Sequence, residues 1–591
     1  NLGATYKWIK SRDLSRPVQY ETEGDIKEVG ERHSDFHSSM YWRHWDLEKY
    51  SEEPNDRPFV LIEYSHAMGN SSGNLKEYWD VINRYDNQAG GFIWDWVDQG
   101  LLEHNEDGVP YWTYGGDYGP PDVPSSGNFN FNGLVFPDRR IQPAFWEVKR
   151  AYQHVEFELI DFGRGVVAIN NEYDFIDLSE FELEWEVTAD GSPVQGGAVR
   201  MLEVQPESRG EARLQYNMPT LRPGPEYHLN LRLVAPEARG LLPAGHVYAT
   251  EQFTLPLAPA QFAAAEGSAS EVSVEVTDNE ARIVGSDWAA AINRDTGLLT
   301  SYQYAGKELL LTPLTPNLWR APTDNDFGNY MQDWAKVWKE SADHRTLESV
   351  RQVRGVEDKI IFVATFSFAD SNGSQAAIWE TAYSFTNDGR LHVENRFERA
   401  AGTPKVPRIG MNVELIRELD QVEWFGRGPF ENYSDRNRAA NVGRYENLVA
   451  EHYVPYMRPQ ENGYKTDTRW VSLQNGEDAG VLVIADEQIG FSVHHNRQSD
   501  FVPPVKIAIT SEDGPGARDN QERVNVHVSD VVPRDIVSLN IDYGQMGVGG
   551  DDSWGKHTLS KYSLIESNYG YGFTLIPFQP GDGRLDELTR R

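Results

Sequence analysis

The chain has 591 residues and a net charge of −36, and it contains no cysteine. So acidic a surface repels nucleic acid and anionic membranes, and we expect neither as a partner. The lack of cysteine excludes disulfides, thiol nucleophiles and thiolate metal sites. No apolar run is long enough to span a bilayer, and the length suits about three or four domains.

The first part of the chain alternates apolar runs with helical patterns. Leu75, Tyr78, Trp79 and Ile82 recur at helical spacing, for example. Alternation of strands and helices is typical of a parallel α/β sheet, which we predict for residues 1–155. Its four strands are predicted at 18–21, 36–41, 59–63 and 92–96.

The predicted strand at 59–63 ends in a carboxylate, Glu63. Barrel enzymes keep their catalytic groups at the carboxyl ends of buried parallel strands, so Glu63 is a candidate catalytic residue. The alternative is an acid in a loop, paired with an arginine and without a chemical role.

From about residue 156 the pattern changes to short strands separated by turns. Leu183, Trp185 and Val187 alternate with polar residues, and a turn is predicted at 189–191. This pattern favours an immunoglobulin-like β-sandwich over 156–262, followed by a linker of small residues. The remainder, 263–591, is also rich in strands, and the triplet at 387–389 predicts a hairpin turn.

Seven blocks of sequence spread over the whole chain carry a further signal. They are LIEYSHAMGN at 61–70, GGFIWDWVDQ at 90–99, YGGDYG at 114–119, NGLVF at 132–136, RAPTDND at 320–326, GPFENY at 428–433 and GVGGDDSW at 547–554. Together they resemble the β-galactosidases of glycoside hydrolase family 2.

The resemblance implies a multidomain α/β and all-β fold. It places residue 1 shortly after the fourth strand of a (β/α)8 TIM barrel, so 1–155 would be the second half of the catalytic barrel. The immunoglobulin-like sandwich and a large antiparallel β-sandwich, 263–591, would follow. Half a barrel leaves two unpaired edges and an open apolar interior, so we expect a longer polypeptide or a separate N-terminal piece as partner.

The resemblance also implies a retaining β-galactosidase that acts on β-galactosides such as lactose. Two carboxyl groups perform this reaction by double displacement, one as nucleophile and one as general acid/base. The motif makes Glu63 the nucleophile. The family's acid/base glutamate would lie upstream of residue 1, and Glu21, also at a predicted strand end, is interpreted as structural.

Four further residues match sugar-site residues of the family. Tyr41 would donate a hydrogen bond to the nucleophile, His66 would contact sugar hydroxyls, Trp94 would form the floor of the site and Trp554 would stack on substrate at the entrance. The alternatives are a buried tyrosine with a satisfied hydroxyl, a structural histidine and two core tryptophans.

The turn around Asn132 resembles a sodium site of the family. The Phe129 carbonyl and the Asn132 side chain, itself also a substrate contact, would be the ligands, and oxygen ligands suit a hard cation. An asparagine-rich turn is the alternative. A magnesium ion is expected as well, with its ligands mostly upstream of this chain.

Two other functions remain open from the sequence. The chain could be a non-catalytic sugar-binding or complementation fragment, or the fold could serve a β-glucuronidase or β-mannosidase. A homo-oligomer and a cytoplasmic location are expected by analogy with the family.

Overall fold

The computed structural model of the chain describes residues 2–20, 33–120, 125–217, 221, 224–257, 272–354, 359–477, 479–502, 526–582 and 585–589. Strands dominate the described residues, and the α-helices lie in the first quarter of the chain, around residues 324–339 and at 585–588. In these described ranges no helix has both the length and the apolar character needed to cross a membrane.

The first segment contains a short parallel sheet flanked by helices. Its elements are α1 (Leu2–Lys10), β1 (His37–Met40), α2 (His44–Glu52), β2 (Phe59–Tyr64), α3 (Leu75–Ile82), β3 (Gln88–Ile93), β4 (Leu101–His104), β5 (Pro110–Thr113) and α4 (Ala144–Ala151).

Strands β1, β2 and β3 pair in parallel and in that order. Helix α3 buries Leu75, Tyr78 and Ile82 in one core with Leu61, as the helical spacing predicts, whereas Trp79 is only partly buried. The predicted strands at 36–41 and 59–63 therefore form, within a residue or two of their expected ends.

Two strand predictions need correction. The strand predicted at 92–96 lies earlier, at Gln88–Ile93, because Gly91 allows the close packing. A Cβ at Gly91 would lie only 2.8 Å from the Leu61 Cβ. Residues 18–20 join no sheet, because Val18 exchanges hydrogen bonds with the backbone and side chain of Asp35 instead. Glu21 lies outside the described residues.

The middle of the chain forms two antiparallel sheets that face each other. Their strands are β6 (Val155–Asp161), β7 (Val166–Asn171), β8 (Glu182–Ala189), β9 (Ser192–Val199), β10 (Ser208–Arg213), β11 (Tyr227–Val234) and β12 (Val247–Thr254). The sheet orders are β10-β7-β6 and β12-β11-β8-β9. Leu183, Trp185 and Val187 point into the shared core, as their alternation predicts.

The last part of the chain begins with a five-stranded antiparallel sheet and three short helices. The strands are β13 (Ser273–Val276), β14 (Glu280–Val284), β15 (Trp288–Asn293), β16 (Leu299–Tyr304) and β17 (Lys307–Glu308). Strand β18 (Thr315–Asn317) follows, then α5 (Asp324–Gly328), α6 (Met331–Trp334) and α7 (Lys336–Lys339).

A twelve-stranded sheet forms the rest of this large sandwich and shares one core with the five-stranded sheet. Phe385 pairs with Leu391 across the predicted hairpin turn. Besides β18 its strands are β19 (Arg345–Arg354), β20 (Ile360–Ala369), β21 (Gln375–Phe385), β22 (Leu391–Arg399), β23 (Arg408–Leu415), β24 (Gln421–Gly428), β25 (Asn441–Leu448), β26 (Lys465–Gln474), β27 (Gly480–His494), β28 (Val537–Gln545) and β29 (Asn568–Phe578), and α8 (Leu585–Leu588) ends the fold.

A bidentate ion pair ties the middle sandwich to the large one. Arg469 of β26 donates from Nε and Nη2 to the two carboxylate oxygens of Glu226, at 2.8 and 2.5 Å. Burial alone would raise the pKa of Glu226, but hydrogen bonds from His228 and Arg469 outweigh it and lower the pKa to about 2. Forked arginine–carboxylate pairs of this kind fix geometry as well as charge.

Glu226→Gln should therefore lower the free energy of unfolding at neutral pH and leave it nearly unchanged in acid. Because the folded state lowers the pKa from an ordinary 4.5 to about 2, the stabilisation is present above pH 4.5 and is lost as the pH falls toward 2. We expect a loss of about 1–2 kcal/mol at pH 7, shrinking between pH 5 and pH 2. Thermal unfolding across this pH range measures it.

Glu184→Gln is the matched control, because Glu184 pairs with Arg232 on the exposed face of the same sandwich. An equal loss at pH 7 from both substitutions would contradict a special role for the Glu226–Arg469 pair.

Candidate active site

The carboxyl ends of β1 and β2 bring Tyr41 and Glu63 together. Tyr41 follows β1 directly, and its backbone N–H donates to the Glu63 carbonyl at 2.8 Å. The Tyr41 hydroxyl hydrogen-bonds to the Glu63 carboxylate. Burial and this bond raise the pKa of Tyr41 well above its ordinary value. Tyr41 is therefore a neutral hydrogen-bond donor, able to hold a carboxylate without pairing it with a cation.

Four rings pack together beside this carboxylate. Trp554 stands edge-on to Tyr41 with ring centroids 4.6 Å apart, and edge-on to His66 at 5.1 Å. His66 also lies 5.2 Å from Phe129, and Tyr41 lies 6.0 Å from His66. Residues from two strand ends, a distant turn and the last sandwich thus meet in one ring cluster. This cluster lies beside the Glu63 carboxylate.

The loop that follows Glu63 is held by the large sandwich. Arg436 donates to the Asn70 side chain at 2.8 Å and to the Ser71 carbonyl, and it forms an ion pair with Glu431 at 2.7 Å. The Gly73 N–H donates to the Gly549 carbonyl at 2.8 Å. All of these groups lie in the buried interface between the two domains.

Gly73 is required where the loop meets the sandwich. A Cβ at this position would lie 2.1 Å from a carboxylate oxygen of Asp435. Several non-glycine residues near the strand ends, among them Tyr41, Ser65 and Asn74, adopt positive φ angles, of 53°, 48° and 47° for these three. Non-glycine residues in this left-handed region carry backbone strain, which is typical of functional loops that their surroundings hold in place.

The segment that carries Trp554 is fixed to the parallel-sheet segment by a partly buried ion pair. Arg43, at the start of α2, pairs with Asp552. The other Asp552 oxygen accepts the backbone N–H groups of Trp554 and Lys556 at 3.1 and 3.0 Å. Asp552 therefore links the orientation of the Trp554 backbone to the start of α2.

His66 is buried and neutral. Its Nδ1 lies 2.8 Å from the Ser553 hydroxyl, and its Nε2 lies 3.4 Å from the Asn132 amide nitrogen. Burial lowers the pKa of His66 to about 4, against a small opposing effect of Asp552. At neutral pH the ring therefore carries no charge.

The predicted sodium ligands are adjacent in space. The Asn132 amide nitrogen donates to the Phe129 carbonyl at 3.0 Å. The Asn132 side-chain oxygen is buried and has no hydrogen-bond partner among the described residues. An unpaired buried oxygen beside a backbone carbonyl fits a hard cation. The described residues contain no group of three or more His, Asp or Glu side chains that could hold a metal ion.

Trp94 stands apart from the ring cluster. Its backbone joins the strand ends, since Trp94 N–H donates to the Tyr64 carbonyl and the Trp94 carbonyl accepts from the Ala67 N–H. Its ring is 40 % exposed, and no ring contact among the described residues joins it to His66 or Trp554. A role as the floor of a sugar site stays a prediction.

Three family models match the chain in succession. Residues 1–157 match the model described as "Glycosyl hydrolases family 2, TIM barrel domain", residues 167–256 match "Beta-galactosidase, domain 4", and residues 284–575 match "Beta galactosidase small chain". The chain belongs to glycoside hydrolase family 2.

Curated relatives of this family-2 chain are named β-galactosidases. The protein of Priestia megaterium is 33% identical over 98% of this chain and 53% of its own length. Proteins of Enterobacter cloacae and Pseudoalteromonas haloplanktis are 32% and 31% identical over 97% of this chain, and 54% and 55% of their own lengths. The chain thus spans about half the length of the curated relatives it matches.

Several residues of this family-2 site had no role assigned from the sequence. Ser553, Asn325 and Asp552 lie within the blocks at 320–326 and 547–554, and Arg43 lies two residues after Tyr41, but the partners that place them in the site are hundreds of residues away. The block at 320–326 is one signal that could have found Asn325, because its Thr323 and Asp326 form a helix capping box. Such a cap indicates a rigidly held first turn.

Arg436→Met should strongly destabilise the family-2 chain. Removal of the guanidinium leaves Glu431 as a buried charge without its ion partner, so we expect a loss of about 3–5 kcal/mol in the free energy of unfolding. Urea unfolding followed by tryptophan fluorescence measures this loss.

Arg438→Met is the control, since Arg438 is partly exposed and pairs loosely with Glu156 at 3.4 Å. It should cost less than about 1 kcal/mol. Similar losses from both variants would mean that the Arg436 contacts do not hold the loop.

Proposed function

We propose that the protein acts as a retaining β-galactosidase in which Glu63 is the nucleophile. The observation that carries the proposal is the position of Glu63 at the carboxyl end of a parallel barrel strand, with the neutral Tyr41 hydroxyl bonded to its carboxylate. Membership of glycoside hydrolase family 2 and the names of the relatives support it.

In the proposed reaction Glu63 attacks the anomeric carbon and the glycosidic bond breaks as the acid/base glutamate protonates the departing oxygen, which leaves a covalent glycosyl ester on Glu63. Water, deprotonated by the same acid/base group, then hydrolyses this ester. Two carboxyl groups about 5–5.5 Å apart give this retaining outcome. Tyr41 orients the Glu63 carboxylate before attack and hydrogen-bonds to it again when the ester breaks. The acid/base glutamate is supplied by a segment outside residues 1–591 in this proposal.

The ring cluster is the proposed sugar site. Trp554 and Phe129 offer apolar faces to the C–H surface of a sugar, and His66 offers a nitrogen to a hydroxyl. The Phe129 carbonyl and the Asn132 oxygen would hold a sodium ion, which when bound supplies a fixed positive charge for a sugar hydroxyl. Magnesium, an oligomeric state, a cytoplasmic location and lactose as substrate stay predictions.

Glu63→Gln should abolish turnover in the full-length enzyme and leave galactoside binding measurable. The amide is isosteric but is not a nucleophile, and we expect kcat to fall on the order of 10⁵-fold or more. Hydrolysis of a nitrophenyl β-galactoside measures turnover. A 2-fluoro-galactoside followed by peptide mass analysis measures covalent labelling, which should fall on the peptide that contains Glu63.

The control is Glu53→Gln, an exposed glutamate ten residues earlier at the end of α2. It should keep normal turnover and labelling. Near-normal hydrolysis by Glu63→Gln, or labelling of a different carboxylate, would refute the nucleophile assignment.

We also propose that the open edge of the parallel sheet binds an N-terminal barrel segment. Among the described strands β3 pairs with β2 alone, which leaves its outer edge unpaired. Phe92 and Trp96 are 66 % and 60 % exposed there. A groove of about 640 Å³ runs between β3 and α4, lined by residues such as Ile93, Phe145 and Trp146.

An exposed apolar groove beside an unpaired strand edge is a natural site for another strand and helix. The curated relatives are nearly twice as long as this chain, which supports a further segment of the same barrel as the occupant. A chain that binds sugar or assembles without turnover of its own would have the same edge, so the edge alone does not separate the two functions.

The test compares the chain alone with the chain plus the polypeptide encoded immediately upstream of it. Binding should be accompanied by galactosidase activity and by a blue shift of tryptophan fluorescence. Trp96→Asp should weaken binding by at least about 100-fold, since it buries a charge in an apolar contact. Leu241→Asp, on a fully exposed loop of the middle sandwich, should have no effect.

Binding without any activity would favour the non-catalytic function. Activity of the isolated chain equal to that of the mixture would overturn the proposed partner.

A further inference from the structure

A chain of three buried side chains leads from the large sandwich to His66. Asn325 donates from its amide nitrogen to the Val548 carbonyl at 3.0 Å. The Ser553 hydroxyl donates to the Asn325 side-chain oxygen at 2.7 Å, and the Ser553 oxygen lies 2.8 Å from His66 Nδ1. Asn325, Ser553 and His66 are called the His66 relay below.

The direction of each bond in the His66 relay follows from its first member. The Val548 carbonyl can only accept, so it fixes the Asn325 amide with the nitrogen toward Val548 and the oxygen toward Ser553. Ser553 then donates its single hydroxyl proton to the Asn325 side-chain oxygen. The Ser553 oxygen can therefore only accept a proton from His66, which places the imidazole N–H on Nδ1.

The opposite edge of the imidazole agrees with this tautomer. The Asn132 amide nitrogen donates to the Phe129 carbonyl, so its second N–H points toward His66 Nε2 at 3.4 Å. If the imidazole proton were on Nε2, it would face the N–H of Asn132. With the proton on Nδ1, the lone pair of Nε2 faces that N–H and can accept from it. At 3.4 Å the contact is longer than an ordinary hydrogen bond, so a stronger donor such as a sugar hydroxyl can compete with it.

We propose that Ser553 and Asn325 are positioning residues that hold His66 with its ring proton on Nδ1, so that Nε2 accepts a hydrogen bond from a substrate hydroxyl. The proposal rests on the proposed function and adds a rule of specificity to it. A lone pair attracts a hydroxyl proton and repels a carboxylate oxygen. The His66 relay thus favours neutral glycosides over uronides.

The first test reads the tautomer directly and needs no substrate. Nitrogen NMR of the folded chain with ¹⁵N-labelled histidine distinguishes a protonated ring nitrogen from an unprotonated one, and His66→Gln assigns the signals. The expected pattern for His66 is a protonated Nδ1 and an unprotonated Nε2. A protonated Nε2 in the unmodified chain would overturn the proposal.

Variants then test the role of Ser553. Ser553→Ala removes the acceptor and should shift His66 toward the Nε2–H tautomer, whereas Ser553→Thr keeps a hydroxyl and should preserve the original pattern. Ser492→Ala is the matched control, because Ser492 is a buried serine of the same sandwich that contacts Asn540 instead. An unchanged His66 pattern in folded Ser553→Ala would overturn the proposal.

The second test measures specificity in the full-length enzyme with nitrophenyl galactoside and nitrophenyl galacturonide. Ser553→Ala should raise KM for the galactoside about tenfold with a smaller change in kcat. It should also lower the ratio of kcat/KM for the galactoside to kcat/KM for the galacturonide. Ser553→Thr should restore both. An unchanged preference in Ser553→Ala would overturn the specificity rule, and an inactive unmodified enzyme would overturn the proposed function while the NMR result still decides the tautomer.

Discussion

The position of the Glu63 loop depends on a buried arginine that lies more than 360 residues later in the chain. Arg436 bonds to the Asn70 side chain, the Ser71 carbonyl and Glu431 in an interface closed to solvent. The transfer of such charges out of water costs several kcal/mol per ion, which only full hydrogen bonding offsets. A loop held by these contacts has little freedom to rearrange, and the strand end that precedes it is fixed as well.

Similar contacts recur along the same domain interface. Arg320 is fully buried and bonds to both oxygens of Asp326, each at 3.0 Å, which fixes the first turn of the helix that carries Asn325. Arg43 and Asp552 fix the segment that carries Trp554. The Arg43–Asp552 pair thus orients a member of the ring cluster directly, whereas the Arg320–Asp326 pair orients Asn325, which contacts His66 through Ser553. The large sandwich is thus part of the site and not only a neighbour of the barrel.

Local sequence patterns predicted the elements whose contacts are also local. The strand that ends at Glu63, the helix from Leu75 and the hairpin between β21 and β22 all follow from periodicity or turn chemistry within about a dozen residues. The position of β3 was missed because glycines within a strand carry no apolar signal, although Gly91 is what allows Leu61 to pack against it. Ser553 and Asn325 were missed as partners of His66 because no short-range rule joins residues that lie hundreds of positions apart. Their sequence blocks indicated importance through family resemblance, and only the fold gave each residue a contact.

The Glu63 carboxylate is held by an uncharged hydrogen-bond donor and not by a cation, and this choice has a physical reason. A cation paired directly with Glu63 would stabilise its charge and weaken it as a nucleophile. Arg43, the arginine that lies just beyond Tyr41, is paired with Asp552 and is stabilised further by the charge of Asp551. The donor left to the Glu63 carboxylate from this strand end is the uncharged Tyr41 hydroxyl. In the proposed reaction, a carboxylate held by an uncharged donor is available to the positive charge that develops at the sugar C1, and the uncharged imidazole of His66 on the other side of the proposed site suits a neutral sugar.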